Sequence, residues 1–314
     1  MAPVRHSLVV PVYRNEESIP ALIEAIEGIQ SELASPLEAV FVVDGSPDRS
    51  YRLLADLLPG AAFPSRLVLL SRNFGSFAAI RTGFEQATGS YLAVMAADLQ
   101  EPAELILEFF RRLESGTTDI VVGTRTARDD GPFSRAASRA FWALYRRLVM
   151  PEIPPGGVDV FGCTDRIVQR LVSLKEARSS LVAQLYWIGF RREEVPYERA
   201  KRHSGRSGWT LRKKLNYFTD SVYAFTDLPI RLLTLSGLIG LAVSAVVGSL
   251  TLAGRLLEWF TVPGYAPTVI LLLFFGSLNL FGLGLVGSYA WRAYENTKQR
   301  PEAIPMFVDH FEGR

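Results

Sequence analysis

Tyr91-Leu92-Ala93-Val94-Met95-Ala96-Ala97-Asp98-Leu99-Gln100-Glu101-Pro102 is the stretch from which the fold can be read. The apolar run from Tyr91 to Ala97 has the length and continuity of a strand buried on both faces. It ends on a carboxylate and, two residues later, an amide. Pro102 then opens an amphipathic segment, Ala103–Ser115, as proline does at the first turn of a helix. The order is strand, polar loop, helix.

The same unit recurs on both sides. Strands are expected at Ser7–Tyr13, Glu38–Asp44, Arg66–Ser71, Tyr91–Ala97 and Asp119–Thr124, and helices at Ser18–Leu33, Arg49–Leu58, Ser76–Thr88, Ala103–Ser115 and Ser134–Leu148. Apolar strands alternating with helices predict an α/β domain with a parallel sheet covered on both faces. Such sheets bind ligands beyond the carboxyl ends of their strands. The residues at those ends are Tyr13 with Glu16, Asp44, Arg72, Asp98 with Gln100, and Arg125.

That set already carries chemistry. Asp44, in Val42-Val43-Asp44-Gly45-Ser46, can accept hydrogen bonds from a ribose or a base. Asp98 and Gln100 offer two hard oxygens of the kind that suits Mg²⁺ or Mn²⁺ beside a phosphate. Each also has a structural use, since Asp before Gly is common in turns and Asp98 can cap the helix after Pro102. No G-x-G-x-x-G follows the first strand and no Walker-type glycine loop is present, and H-E-x-x-H and G-x-S-x-G are absent too. One cysteine, Cys163, excludes an internal disulfide, and three histidines offer no Cys/His zinc site. Lys and Arg number 34 against 32 Asp and Glu, and a net charge of +2 argues against a nucleic-acid partner.

Charged residues are only 21% of the 314, and mean hydropathy is +0.16. The apolar excess is local. Leu232 to Gly254 is a run of 23 residues without a charge, and a second uncharged run extends from Trp259 to Trp291, broken early by Pro263, Gly264 and Pro267. A helix of about 20 residues crosses a bilayer core, so spans are expected at 232–254 and 268–291. Seven Lys/Arg and no acid lie between Arg199 and Thr219, and Arg292, Lys298 and Arg300 follow the second run. Positive outer flanks orient both termini to the cytoplasm. Gly240, Ser244 and Gly248, and Gly284 with Ser288, recur at four-residue spacing, which serves a helical hairpin or a homo-oligomer equally. Leu211, Leu215, Phe218, Val222 and Phe225 form one stripe behind Arg212, Lys213 and Lys214, the pattern of a helix lying at a membrane surface.

The motifs taken together resemble those of inverting family 2 glycosyltransferases, in the polyprenyl-phosphate branch that includes dolichol-phosphate mannose synthase. The resemblance is carried by Val9-Val10-Pro11-Val12-Tyr13, Val43-Asp44-Gly45-Ser46, Ser71-Arg72-Asn73-Phe74-Gly75, Ala97-Asp98-Leu99-Gln100-Glu101-Pro102, Val195-Pro196-Tyr197-Glu198-Arg199 and Lys201-Arg202-His203-Ser204-Gly205-Arg206-Ser207. It implies a Rossmann-like nucleotide-diphospho-sugar transferase domain with a C-terminal two-helix transmembrane hairpin. The corresponding division is a cytoplasmic domain over 1–208, an interfacial helix over 209–230, the hairpin over 231–292 and a cytoplasmic tail over 293–314.

By position, the resemblance implies donor binding by Pro11, Tyr13, Glu16, Asp44 and Arg72, with Mg²⁺ or Mn²⁺ held by Asp98 and Gln100. It implies that Arg125, Arg135, Ser138 and Arg202 hold the phosphate of a polyprenyl acceptor, and that Asp98, Arg125 and Arg202 are catalytic. The planar arginine fork suits that phosphate. The donor expected is a nucleotide sugar, with UDP-hexose the first guess, and the enzyme expected is a hexosyltransferase of the inner membrane. Three departures stand out. Val43 and Ala96 replace acids common in the family, and the acid common before Phe161 is here Val160, with Asp159 one residue earlier. The rivals are a non-catalytic membrane scaffold on this fold and a processive polysaccharide synthase. The chain lacks the latter's Q-x-x-R-W motif.

Overall fold

A computed structural model describes residues 5–126, 132–176, 179–200, 211–257 and 265–314. Side chains 132–136 and 211–214, with several in the apolar helices, also fall outside the description. The chain divides into two compact units, Met1–Tyr217 with Arg300–Arg314, and Phe218–Gln299.

The first unit alternates as expected through β1 (His6–Val12), α1 (Ile19–Glu32), β2 (Leu37–Val43), α2 (Ser50–Leu57), β3 (Ser65–Leu70), α3 (Ser76–Gln86), β4 (Tyr91–Val94), α4 (Ala103–Glu114), β5 (Ile120–Arg125) and α5 (Pro132–Leu148). It continues through β6 (Phe161–Thr164), α6 (Asp165–Ser173), α7 (Leu181–Trp187) and β7 (Arg192–Tyr197). One sheet runs in the order β7-β5-β6-β4-β1-β2-β3-β8, where β8 is Pro305–Phe311.

Alternate residues of β1 serve opposite faces, as a pleated strand requires. Leu8, Val10 and Val12 join the apolar core with Leu22 and Ile26 of α1 and Ile106 and Phe110 of α4. Val9 points the other way, against Gly83 of α3, where an added Cβ would lie 2.3 Å from Val9 Cγ1. Burying each aliphatic side chain in such a core contributes roughly 1.5–3 kcal/mol.

The sheet is mixed, which corrects the expected all-parallel arrangement. β6 runs antiparallel between β4 and β5, and β8 runs antiparallel on β3. β6 is only four residues long, Phe161-Gly162-Cys163-Thr164, too short for an apolar pattern to register. β7 carries Arg192, Glu193 and Glu194, and β8 begins at a proline, both marks of an edge strand. β8 also turns the expected tail into part of the sheet. Tyr51 Oη donates to Asp309 at 2.7 Å, and Arg314 N donates to Ala61 O at 3.1 Å. The buried Arg81 donates to Leu171 O and Gln184 Oε1 and pairs with Glu302 at 3.0 Å.

The second unit contains most of α8 (Leu211–Phe225), with α9 (Leu228–Leu256) and α10 (Tyr265–Thr297). An added Cβ on Gly282 would meet Leu233 at 3.3 Å, and one on Gly240 would meet Phe275 at the same distance. Advancing seven residues along α9 thus retreats seven along α10, the signature of antiparallel packing. Within this chain Gly240 and Gly282 make the close contacts, while Gly248 and Gly284 have open space where a Cβ would stand. Among the described residues, one segment, Leu228–Leu250 with mean hydropathy 2.0, is long and apolar enough to cross a membrane. The structure therefore supplies one such segment where the sequence leads to two.

Candidate active site

The carboxyl ends of β1, β2 and β3 are tied together by their own acids. Asp44, buried at the end of β2, accepts from Phe74 N at 2.6 Å and Gly75 N at 2.8 Å. Burial pushes its pKa up, and those two N–H groups with Arg72 only partly offset the effect. Glu16 accepts from Arg49 N at 2.9 Å, and Asp48 accepts from Ser46 Oγ, Ser50 Oγ and Glu16 N. Both expected donor ligands thus already hold loops, and a nucleotide would meet them through the lone pairs that remain. Asp48, which the sequence reading passed over, is the centre of this network.

Tyr13 is 41% exposed beyond β1, with the Arg14 guanidinium 5.5 Å over its ring. Pro11, two residues earlier on β1, is half-buried. The Arg72 guanidinium is exposed and lies 3.9 Å over the Phe74 ring. These are flat surfaces of the kind a base and ribose can lie against.

After β4 the chain kinks at Leu99, whose left-handed φ of 53° costs a branched residue about 1–2 kcal/mol. The kink falls between Asp98 and Gln100, and strained backbone of this kind gathers at functional sites. Asp98 is half-buried. Gln100 is buried, donates through Nε2 to Ala200 O at 3.3 Å and accepts at its own carbonyl from Ala200 N at 2.9 Å. Those bonds join the loop after β4 to the chain after β7.

Arg125 closes β5 and pairs with Asp159. Burial disfavours its charge, but Asp159 and Tyr197 outweigh burial and raise its pKa. Tyr197 Oη also donates to Asp159 at 3.4 Å. Tyr197, buried at the end of β7, is held well above the usual tyrosine range, first by burial and then by the charges of Asp159 and Glu101. Tyr197 therefore feels charges from the loop after β4 and from the Arg125–Asp159 pair, and Glu101 feels both Asp98 and Asp159, so the carboxyl ends of β4 and β5 are electrically coupled.

Glu101 is the residue whose weight the sequence concealed. It is 3% exposed, and among the described residues neither carboxyl oxygen has a hydrogen-bond partner. Arg199 Nε stands 3.9 Å away, and burial, reinforced by Asp98 and Asp159, raises the pKa to about 7. The folded pKa lies above the unfolded one, so the native state prefers the proton. This contribution to stability is complete below pH ~4.5 and is lost as pH rises through about 7. A full shift corresponds to about 3 kcal/mol at 1.36 kcal/mol per unit. In metal-free protein, Glu101→Gln is expected to flatten the fall in melting temperature between these pH values. An unchanged slope would assign it elsewhere.

Ser138 is half-buried on α5. The Arg135 side chain and Arg202 lie outside the described residues. Among those described, no group of three or more His, Cys, Asp or Glu residues could hold a metal. The donor set at Asp98 and Gln100 still fits Mg²⁺ or Mn²⁺, because such ions keep several sites for waters and substrate phosphates.

A mixed α/β sheet with its polar groups gathered at the carboxyl ends is the GT-A-like fold of nucleotide-sugar transferases. The chain belongs to glycosyl transferase family 2, which it matches over residues 7–176. It is 30% identical to the bactoprenol glucosyl transferase of Shigella phage SfV, over 95% of this chain and 97% of that one. It is 29% identical to the prophage bactoprenol glucosyl transferase homolog of Escherichia coli K12, over 95% and 97%. It is also similar to a solved structure, mannosyltransferase PcManGT from Pyrobaculum calidifontis with GDP-Man and Mn²⁺. The TM-score is 0.44 and the identity 17%, over 93% of this chain and 90% of that one.

Proposed function

We propose that this glycosyltransferase moves a hexose from a nucleotide sugar, UDP-glucose first among candidates, to polyprenyl phosphate at the cytoplasmic face of the membrane. The observation carrying this reading is the placement of Asp98 and Gln100 after β4 and of Arg125, paired with Asp159, at the end of β5, two strands whose carboxyl ends lie at the same edge of the sheet. The relatives named bactoprenol glucosyl transferases support the lipid acceptor. At neutral pH a lipid phosphate is already an anion, so its oxygen can attack the anomeric carbon without a general base. The sugar–diphosphate bond breaks as the new bond forms, with inversion. A divalent ion held by Asp98 and Gln100 would supply charge neutralisation for the departing diphosphate. Arg125 would orient the acceptor phosphate, sharing its charge with Asp159.

Membrane anchoring has support from chain connectivity. The chain leaves the sheet after β7 and returns to it as β8. A polypeptide that starts and ends in one soluble body crosses any bilayer an even number of times. Leu228–Leu250 is one segment able to cross. The apolar helix α10, containing the expected span 268–291, is the natural second.

The test is to incubate detergent-purified protein with Mg²⁺ or Mn²⁺, a panel of nucleotide sugars and undecaprenyl phosphate, and to analyse the lipids by mass spectrometry. A lipid-linked hexose is expected. Nucleotide-sugar binding without any lipid product would favour the scaffold reading and overturn this one.

A further inference from the structure

A continuous run of packed aromatic rings joins Tyr217 to the loop that carries Asp159, the partner of Arg125. Tyr217 of α8 stacks on Tyr145 of α5, with ring centroids 5.6 Å apart and planes 12° apart. The Tyr217 hydroxyl is fixed by Ser180 Oγ at 3.0 Å and Tyr145 Oη at 3.4 Å. Phe77 of α3 lies 6.3 Å from the Tyr217 ring. Tyr145 is completely buried, and Trp142 meets it edge-on at 5.4 Å.

The Trp142 indole in turn packs against the Gly157 backbone, where an added Cβ would fall 2.2 Å from Cζ2. Gly157 has a φ of +74° and donates to Pro154 O at 2.9 Å, so the loop is tightly turned there. Two residues on, Asp159 pairs with Arg125. An added Cβ on Gly156 would lie 4.0 Å from Arg125 O. Every member belongs to the first unit.

Nothing in the proposed chemistry uses Trp142, Tyr145 or Tyr217. Three large rings, one a tyrosine stacked nearly parallel on another, are a costly way to fasten a surface helix. Well-packed rings cannot slide by fractions of an ångström without losing contact. A displacement of Tyr217 is therefore felt at the 154–159 loop.

We propose that Tyr217, Tyr145 and Trp142 are positioning residues for the acceptor, holding the Gly157–Asp159 loop so that Asp159 presents Arg125 to the lipid phosphate. The inference rests on the lipid-acceptor reading above. The run of rings ends at the loop that carries Asp159, so its loss should fall first on the acceptor, although Phe77 also brings Tyr217 near the start of α3, beside the Gly75 N–H that Asp44 accepts from.

The experiment uses full-length protein in lipid nanodiscs. Initial rates are measured against undecaprenyl phosphate and, separately, against the nucleotide sugar that the wild type turns over, with melting temperatures alongside. Tyr217→Ala is expected to raise the acceptor KM about tenfold, the scale of one aromatic pair. The donor KM should stay within twofold. Tyr217→Phe, which keeps the stack, should restore the acceptor KM. Trp142→Leu should reproduce the Tyr217→Ala pattern and serves if Tyr217→Ala does not fold. An unmoved acceptor KM in a folded variant, or donor and acceptor KM rising together, overturns the inference while normal wild-type transfer leaves the lipid reading intact. No transfer by the wild type overturns both.

Discussion

Gly45→Ala is expected to destabilise the first unit by about 3–4 kcal/mol, seen as a melting temperature lower by roughly 10 °C. Gly45 has a φ of +56°, and its missing Cβ would stand 2.3 Å from the backbone carbon of Arg72 and 2.5 Å from Asn73 N. The left-handed backbone costs a non-glycine residue about 1–2 kcal/mol. Overpacking adds about 1–3 kcal/mol more, and here the obstacle is main chain, which cannot rotate aside as a side chain would. The loop that must yield is the one whose N–H groups bind Asp44. Nucleotide affinity should fall with stability. A loss no larger than the roughly 1–2 kcal/mol of a left-handed residue would mean that the close approach at Gly45 contributes nothing.

The sequence was most legible where one physical constraint acted alone. The strands β1 to β5 are buried on both faces, so apolar continuity marked them to within a few residues. The strand ends followed from the direction of the strands, and Asp98 with Gln100 after β4 and Arg125 at the end of β5 stand at the carboxyl ends of parallel-running strands of one sheet. Legibility failed where a tertiary contact supplied the stabilisation. β6 is four residues held by both neighbours, and β8 is an edge strand formed by a segment returning from far along the chain. No local pattern announces either. Roles were hidden for a related reason. Asp44 and Glu16 stand at strand ends as a ligand set would, yet their first hydrogen bonds go to backbone N–H groups of neighbouring loops. Glu101 was in plain sight beside Gln100. Its significance lies in burial without hydrogen-bond partners, a property of the fold and not of the residue.

Asp98→Asn is expected to lower kcat/KM for sugar transfer about a thousandfold while leaving the protein as stable as before, or more stable. The loss follows if the carboxylate is the charged half of the cation's protein ligand set. An amide of the same shape removes the charge, and electrostatic stabilisation of a departing diphosphate is worth several kcal/mol, or about 1.4 kcal/mol per factor of ten. The stability arises from Glu101. The Asp98 charge is among the influences that raise the Glu101 pKa, so neutralising Asp98 relieves a like-charge contact in a buried place. Activity and stability should therefore move in opposite directions, as expected where charges have been gathered for chemistry and not for folding. The measurement is a pair of titrations on one preparation, transfer rate against Mn²⁺ and melting temperature against pH. Activity within tenfold of wild type at every Mn²⁺ concentration would remove Asp98 from the chemistry. A melting temperature several degrees below wild type would show instead that its carboxylate holds the loop after β4, leaving the thousandfold loss to be explained by misfolding.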